Sequence, residues 1–109
     1  MRIHELKTDP SAFDAIAAGN KRFELRYNDR NFRVGDKLLL RETRYSGEEM
    51  TKGAPLEYTG IYLTVFITSI LTGPVYGLLE GWVIMSIALI EKAEILRENT
   101  TLHLWEEGN

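Results

Sequence analysis

The residues best suited to chemistry lie between Gly19 and Arg30, in the run Gly-Asn-Lys-Arg-Phe-Glu-Leu-Arg-Tyr-Asn-Asp-Arg. Lys21 is a mobile point charge. Arg26 and Arg30 are planar forks of donors that suit a phosphate or a base edge. Glu24 accepts from amino or imino groups, and with a raised pKa it could serve as a general base. Asn28 adds an amide. Such a row suits recognition of a phosphate-bearing or amide-bearing ligand, or polarisation of a carbonyl. Alternating charge on a strand is also a common solvated surface, worth little where Glu and Arg pair in water. Four tyrosines, Tyr45, Tyr58, Tyr62 and Tyr76, could stack on a base or simply pack. His4 is read as a structural histidine, and Trp82 and Trp105 as packing residues. No nucleophile elbow, Gly-rich phosphate loop or metal-ligand spacing occurs, so neither metal nor cofactor is expected.

The elements that must position this row are legible from periodicity. From Phe23 the chain alternates, which predicts a half-buried strand with Phe23, Leu25 and Tyr27 on one face and Glu24, Arg26 and Asn28 on the other. Before it, Asp9-Pro10 starts a helix with Phe13, Ile16 and Ala17 at helical spacing, and Gly19 stops it. Residues 2–7 predict a short first strand with His4 and Lys7 on opposite faces. Lys37 to Tyr45 predicts a strand, and Ser46 to Gly60 a surface loop. Ile61 to Leu71 predicts a long strand, and Trp82 to Ile90 a strand covered on both faces. Glu91 to Asn99 reads as a short charged helix, Thr100 to Trp105 as one further strand, and the end as frayed. One early helix among many strands gives an α+β, mainly β class: a small β-barrel of about five to six strands. The helix closes one end of it, with a domain over 1–90 and an appendage over 91–109.

Composition limits the function classes. The chain has 109 residues, enough for one core, and 44% hydrophobic residues place it among globular proteins. It has no cysteine, which excludes disulfides and thiol catalysis. The polar N-terminus and the short apolar segments point to a cytoplasmic protein without membrane spans. Residues 1–53 hold 11 of the 13 Lys and Arg against nine acids, whereas 54–109 hold two bases and seven acids. A phosphate-bearing partner would therefore meet the N-terminal half, through a local contact or a nucleotide-sized ligand.

Gly19-x-Lys21-x-x-Glu24-x-Arg26 resembles the G-x-K-x-x-E-x-R signature of ASCH domains, members of the PUA-like superfamily. His4-Glu5-Leu6-Lys7, Asn28-Asp29-Arg30, Phe32-x-Val34-Gly35-Asp36, Tyr58-Thr59-Gly60 and Gly77-Leu78 extend the likeness. They are similar to a family of short phage and bacterial ASCH-like proteins without a settled function, over roughly residues 3–90. The resemblance implies a PUA-like barrel with a cleft beside its helix, an RNA or nucleotide ligand, and Lys7, Lys21, Glu24 and Arg26 as cleft residues. Asn28 and Arg30 carry over to the narrower family, and Tyr45 or Tyr58 would supply a stacking lid. Hydrolytic relatives use a Lys and, three residues later, a Thr nucleophile. Here Lys21 matches, but Glu24 replaces the hydroxyl. The leading expectation is thus an RNA-, single-strand- or nucleotide-binding module. A small hydrolase of a modified nucleoside or RNA, with Lys21 and Glu24 as candidate catalytic residues, is the alternative. A protein-interaction module is the third reading, with the appendage available for a homodimer.

Overall fold

The computed structural model describes residues 1–95. They form β1 (Ile3–Thr8), α1 (Pro10–Ala17), β2 (Phe23–Tyr27), β3 (Lys37–Thr43), α2 (Gly47–Thr51), β4 (Tyr58–Thr72) and β5 (Trp82–Glu94). The protein is mainly β, as its alternating patterns predict. The five strands make one sheet in the order β1-β3-β4-β5-β2, with β1 parallel to β3 and all other pairs antiparallel.

Irregularities in β4 curl this sheet. Register shifts between Thr64 and Val65 and between Ile67 and Ser69 let a 15-residue strand bend while staying paired with β5. The result is a half-barrel. Its concave side holds the main core: Leu38 and Leu40 of β3, Leu63, Val65 and Ile67 of β4, and Val83 and Met85 of β5, all inaccessible to solvent. Phe13 and Ile16, three residues apart on α1, fill the open side. Asp9 precedes the helix with extended φ/ψ but makes no side-chain cap. Its carboxylate accepts instead from the Gly47 N–H at 3.1 Å, which ties α2 to the start of α1.

The curl brings the two edge strands, β1 and β2, toward each other. Among the described residues they share no backbone ladder; arginines bridge them. Arg26 Nη2 donates to the Lys7 carbonyl at 2.8 Å and Arg30 Nη1 to the Glu5 carbonyl at 2.5 Å. Arg2 Nη2 donates to the carbonyls of Arg30 and Asn31, both at 2.7 Å. The outward carbonyls of Glu5 and Lys7 are thus occupied, which blunts an edge that would otherwise invite another strand.

Several expectations need correction. The loop from Ser46 contains α2, and β4 begins at Tyr58 rather than Ile61. The missed signal was Ser46-x-x-Glu49, a capping box in which Ser46 Oγ accepts from Glu49 N and Glu49 Oε1 from Ser46 N. Where a helix was expected from Glu91, β5 continues to Glu94 because β4 is long enough to pair with it as far as Ile61↔Glu94. The rest of that appendage, 96–109, lies outside the described residues. Strand β5 is not covered throughout on both faces: Val83, Met85 and Ile87 are buried, whereas Trp82, Leu89 and Ile90 are exposed. A smaller cluster of Leu39, Tyr62 and Ile95 packs on the convex side of the sheet.

Candidate functional site

The structure inverts the facing of β2. Glu24 is 3% exposed, whereas Phe23, Leu25 and Tyr27 are 45%, 49% and 56% exposed. The register explains it. Glu24 lies opposite Met85 and Arg26 opposite Val83, and those two β5 residues face the core. The charged row therefore points into the half-barrel and the apolar row points out. A lone carboxylate in that position would be costly. Two cations compensate it. Lys21 Nζ lies 3.3 Å from Glu24 Oε1, and Arg26 Nε donates to Glu24 Oε2 at 2.8 Å.

Local sequence sets this geometry. Gly19 adopts φ +81°, a left-handed conformation that glycine reaches without strain. The reversed chain lets both Asn20 N and Lys21 N donate to the Ala15 carbonyl, at 2.9 and 3.0 Å. Lys21 is thereby fixed at the helix end, three residues before Glu24. Arg26 is fixed at its other side by the Lys7 carbonyl.

Around this clasp lies a cleft of about 590 Å³, within the range of small-molecule sites. It follows the seam between β1 and β2, so both faces of β2 contribute to it. Of the residues singled out from the sequence, Lys7, Lys21, Glu24, Arg26 and Arg30 line it. Asn28 does not; its Oδ1 accepts from Phe32 N at 2.9 Å and shapes the turn after β2. Tyr45 and Tyr58 do not line it either. Tyr58 sits opposite Thr43, and the Arg41 guanidinium lies over its ring at 3.7 Å. The aromatics that line the cleft are Phe23, Tyr27, Phe32 and Trp82; alternation places Phe23 and Tyr27 on the apolar face of β2, and Trp82 reads from sequence as a packing residue. Only pairing register could reveal them, because alternation fixes which residues share a face but not which face is buried. Thr8 also lines the wall, yet its Oγ1 is buried and lacks a hydrogen-bond partner. Among the described residues no group of His, Cys, Asp and Glu is arranged to hold a metal.

Two groups away from the cleft titrate abnormally. Burial pushes the Asp36 carboxyl up, but hydrogen bonds from His4 and from the N–H groups of Arg2 and Arg33 outweigh it and hold the pKa below 3.8. His4 Nε2 lies 2.8 Å from Asp36 Oδ2 and its ring meets Phe32 edge to face, so the histidine is structural. Burial, with the Glu91 charge adding to it, pushes the Tyr62 phenol up to about 12.

Fold and site together define a small half-barrel domain with a cation-clasped carboxylate in the cleft at its seam. The chain belongs to the family described as a domain of unknown function, DUF3850, whose model matches residues 3–87. It is also similar to an uncharacterized 12.9 kDa protein in the GpA 3′ region of Escherichia phage P2, at 46% identity over 41 residues. That alignment spans 38% of this chain and 38% of the phage protein. Among the described residues no helix is long and apolar enough to cross a membrane.

Proposed function

We propose that the protein is a nucleic-acid or nucleotide binding module of the ASCH/PUA-like kind, its ligand entering the cleft between β1 and β2. The observation that carries this reading is the convergence of Lys21, Glu24 and Arg26 at that cleft. A nucleobase edge presents donors and acceptors side by side, and the clasp offers their complement. Glu24 accepts from an amino or imino group, while Lys21 and Arg26 donate to a carbonyl or phosphate oxygen. Lys7 and Arg30 add cations along the seam beside the carboxylates of Asp9 and Asp29, so with the clasp the lining carries four cations against three carboxylates. Ligand contact would exchange one set of charge-assisted hydrogen bonds for another, so a nearly closed site can open without leaving buried charge unpaired.

The hydrolytic alternative needs either a hydroxyl nucleophile that reaches the ligand or a carboxylate free to activate water. Thr8 lines the cleft, but its Oγ1 is sealed from solvent, and Glu24 already holds both cations. Binding is the better-supported reading.

Titration of a fluorescent single-stranded RNA across a range of salt tests it. Lys21→Ala and Arg26→Ala should each weaken binding by about ten- to a hundredfold, the loss of a charge-assisted contact worth roughly 1.5–3 kcal/mol. Each should also make the slope of log affinity against log salt shallower by up to about 0.7 where the contact is to phosphate. Unchanged affinity and slope in both variants would remove the site.

A further inference from the structure

The apolar row of β2 does not stand alone. Strand pairing sets Leu25 opposite Ile84 and Ile84 opposite Leu71, while Tyr27 lies opposite Trp82. The Tyr27 and Trp82 rings meet edge to face with centroids 5.9 Å apart. Gly81 makes room for them, since a Cβ there would come within 2.5 Å of Tyr27 Cε1. At the other end of the row, Lys21 Nζ stands over the Phe23 ring, 4.9 Å from its centroid. Scattered exposed apolar residues are ordinary on a protein surface. A contiguous row of them running into a cleft lined by four cations and three carboxylates marks a binding surface. Phe23, Tyr27 and Trp82 border the same cleft as Lys7, Lys21 and Arg30.

We infer that this aromatic lip is a stacking platform for nucleotides flanking the one held in the cleft, so the occupant is a single-stranded nucleic acid several nucleotides long. The inference rests on the cleft reading above and goes beyond it by excluding a free nucleotide as the full ligand. Two observations choose the occupant. The lip presents aromatic rings, and every base has a π face to set against one. The lip is also continuous with cationic side chains, which suit a chain carrying a phosphate at each step and which an apolar peptide would leave unpaired. Stacking on such a platform is worth roughly five- to a hundredfold in affinity per base.

The test uses the full chain with Trp105→Phe, which leaves Trp82 as the single tryptophan, and Trp82 is then read directly. A mixed-sequence single-stranded RNA hexanucleotide is compared with an equimolar mixture of the four ribonucleoside 5′-monophosphates. The hexanucleotide should bind more tightly than the monophosphates and quench Trp82 fluorescence. Tyr27→Leu combined with Trp82→Leu leaves no tryptophan and is therefore read by the anisotropy of a fluorescein-labelled hexanucleotide, alongside its parent. It should cost the hexanucleotide about tenfold or more and abolish its advantage, with circular dichroism confirming the fold. If that double variant binds the hexanucleotide as tightly as its parent, while Lys21→Ala and Arg26→Ala still weaken it, the platform is overturned and the cleft reading stands. If the hexanucleotide binds without regard to Lys21 and Arg26, or not at all, the cleft reading fails and the platform with it. If the double variant instead abolishes self-association seen by sedimentation and leaves RNA affinity intact, the lip is an interface between copies and the platform is overturned.

Discussion

Glu24 is the residue on which the site turns. Buried carboxylates are stable only when paired, and Lys21 and Arg26 both pair with this one. A buried ionic cluster is nevertheless a poor way to gain stability, because desolvation consumes most of the Coulomb attraction. Apolar residues would fill the same space with less penalty. If the clasp exists for binding, its three members should be separable from the fold. Arg26→Met alone should destabilise by about 3 kcal/mol, since it leaves Glu24 half-compensated. Lys21→Met, Glu24→Leu and Arg26→Met together should be neutral or stabilising by about 1–4 kcal/mol while abolishing RNA binding. Urea denaturation alongside the RNA titration checks both. A triple variant less stable than Arg26→Met would mean that the clasp holds the barrel together.

At the scale of elements, the site depends on β2 being an edge strand. Among the described residues its one backbone partner is β5, which sets its register; its other side faces the seam, where arginines rather than amides close the gap. That leaves both faces of one short strand able to serve a ligand. The turn before β5 supports this arrangement. Gly81 adopts φ +88° directly beneath the Tyr27 ring, and Asn28 N donates to its carbonyl at 2.8 Å. Gly81→Ala would add both a strained backbone conformation and a clash that pushes Tyr27 away. A loss of about 1–2 kcal/mol is expected, with a change in the near-ultraviolet circular dichroism of the Tyr27–Trp82 pair. A variant with unaltered melting and spectrum would show that the ring is not seated on this turn.

For the whole molecule, pH separates the two sides of the sheet. The concave side and its seam hold the clasp, while Tyr62 is buried on the convex side beside Leu39 and Ile95. An unfolded phenol ionises near 10.0, whereas the folded one keeps its proton to about 12. A raised folded pKa means that the stabilisation is complete below pH 10 and is lost as pH rises toward 12. Melting temperature should fall across that window, and less so in Tyr62→Phe. Tyrosinate absorbance should show one of the five tyrosines titrating above the others. An equal decline in the variant would place the alkaline sensitivity elsewhere. Asp36 acts on the acid side with the opposite sign. Its lowered pKa adds stability above about 3.8 that disappears as pH falls through the folded value.

The sequence by itself determined the mainly β class, the early helix from Pro10, the turn at Gly19 and the grouping of Glu24 with Arg26 on one face of a strand. These follow from local rules, namely side-chain period, proline and glycine geometry and capping, which operate within a few residues. It also marked Lys21, Glu24 and Arg26 as candidates and separated His4 from Lys7. Only the tertiary structure decided that the charged face of β2 is the buried one. Alternation is symmetric between two faces, and the long-range pairing of Glu24 with Met85 in β5 breaks the symmetry. The same long-range pairing brought Trp82 beside Tyr27, kept Tyr45 and Tyr58 away from the cleft, and turned Arg26 and Arg30 from surface charges into the bridge across the seam.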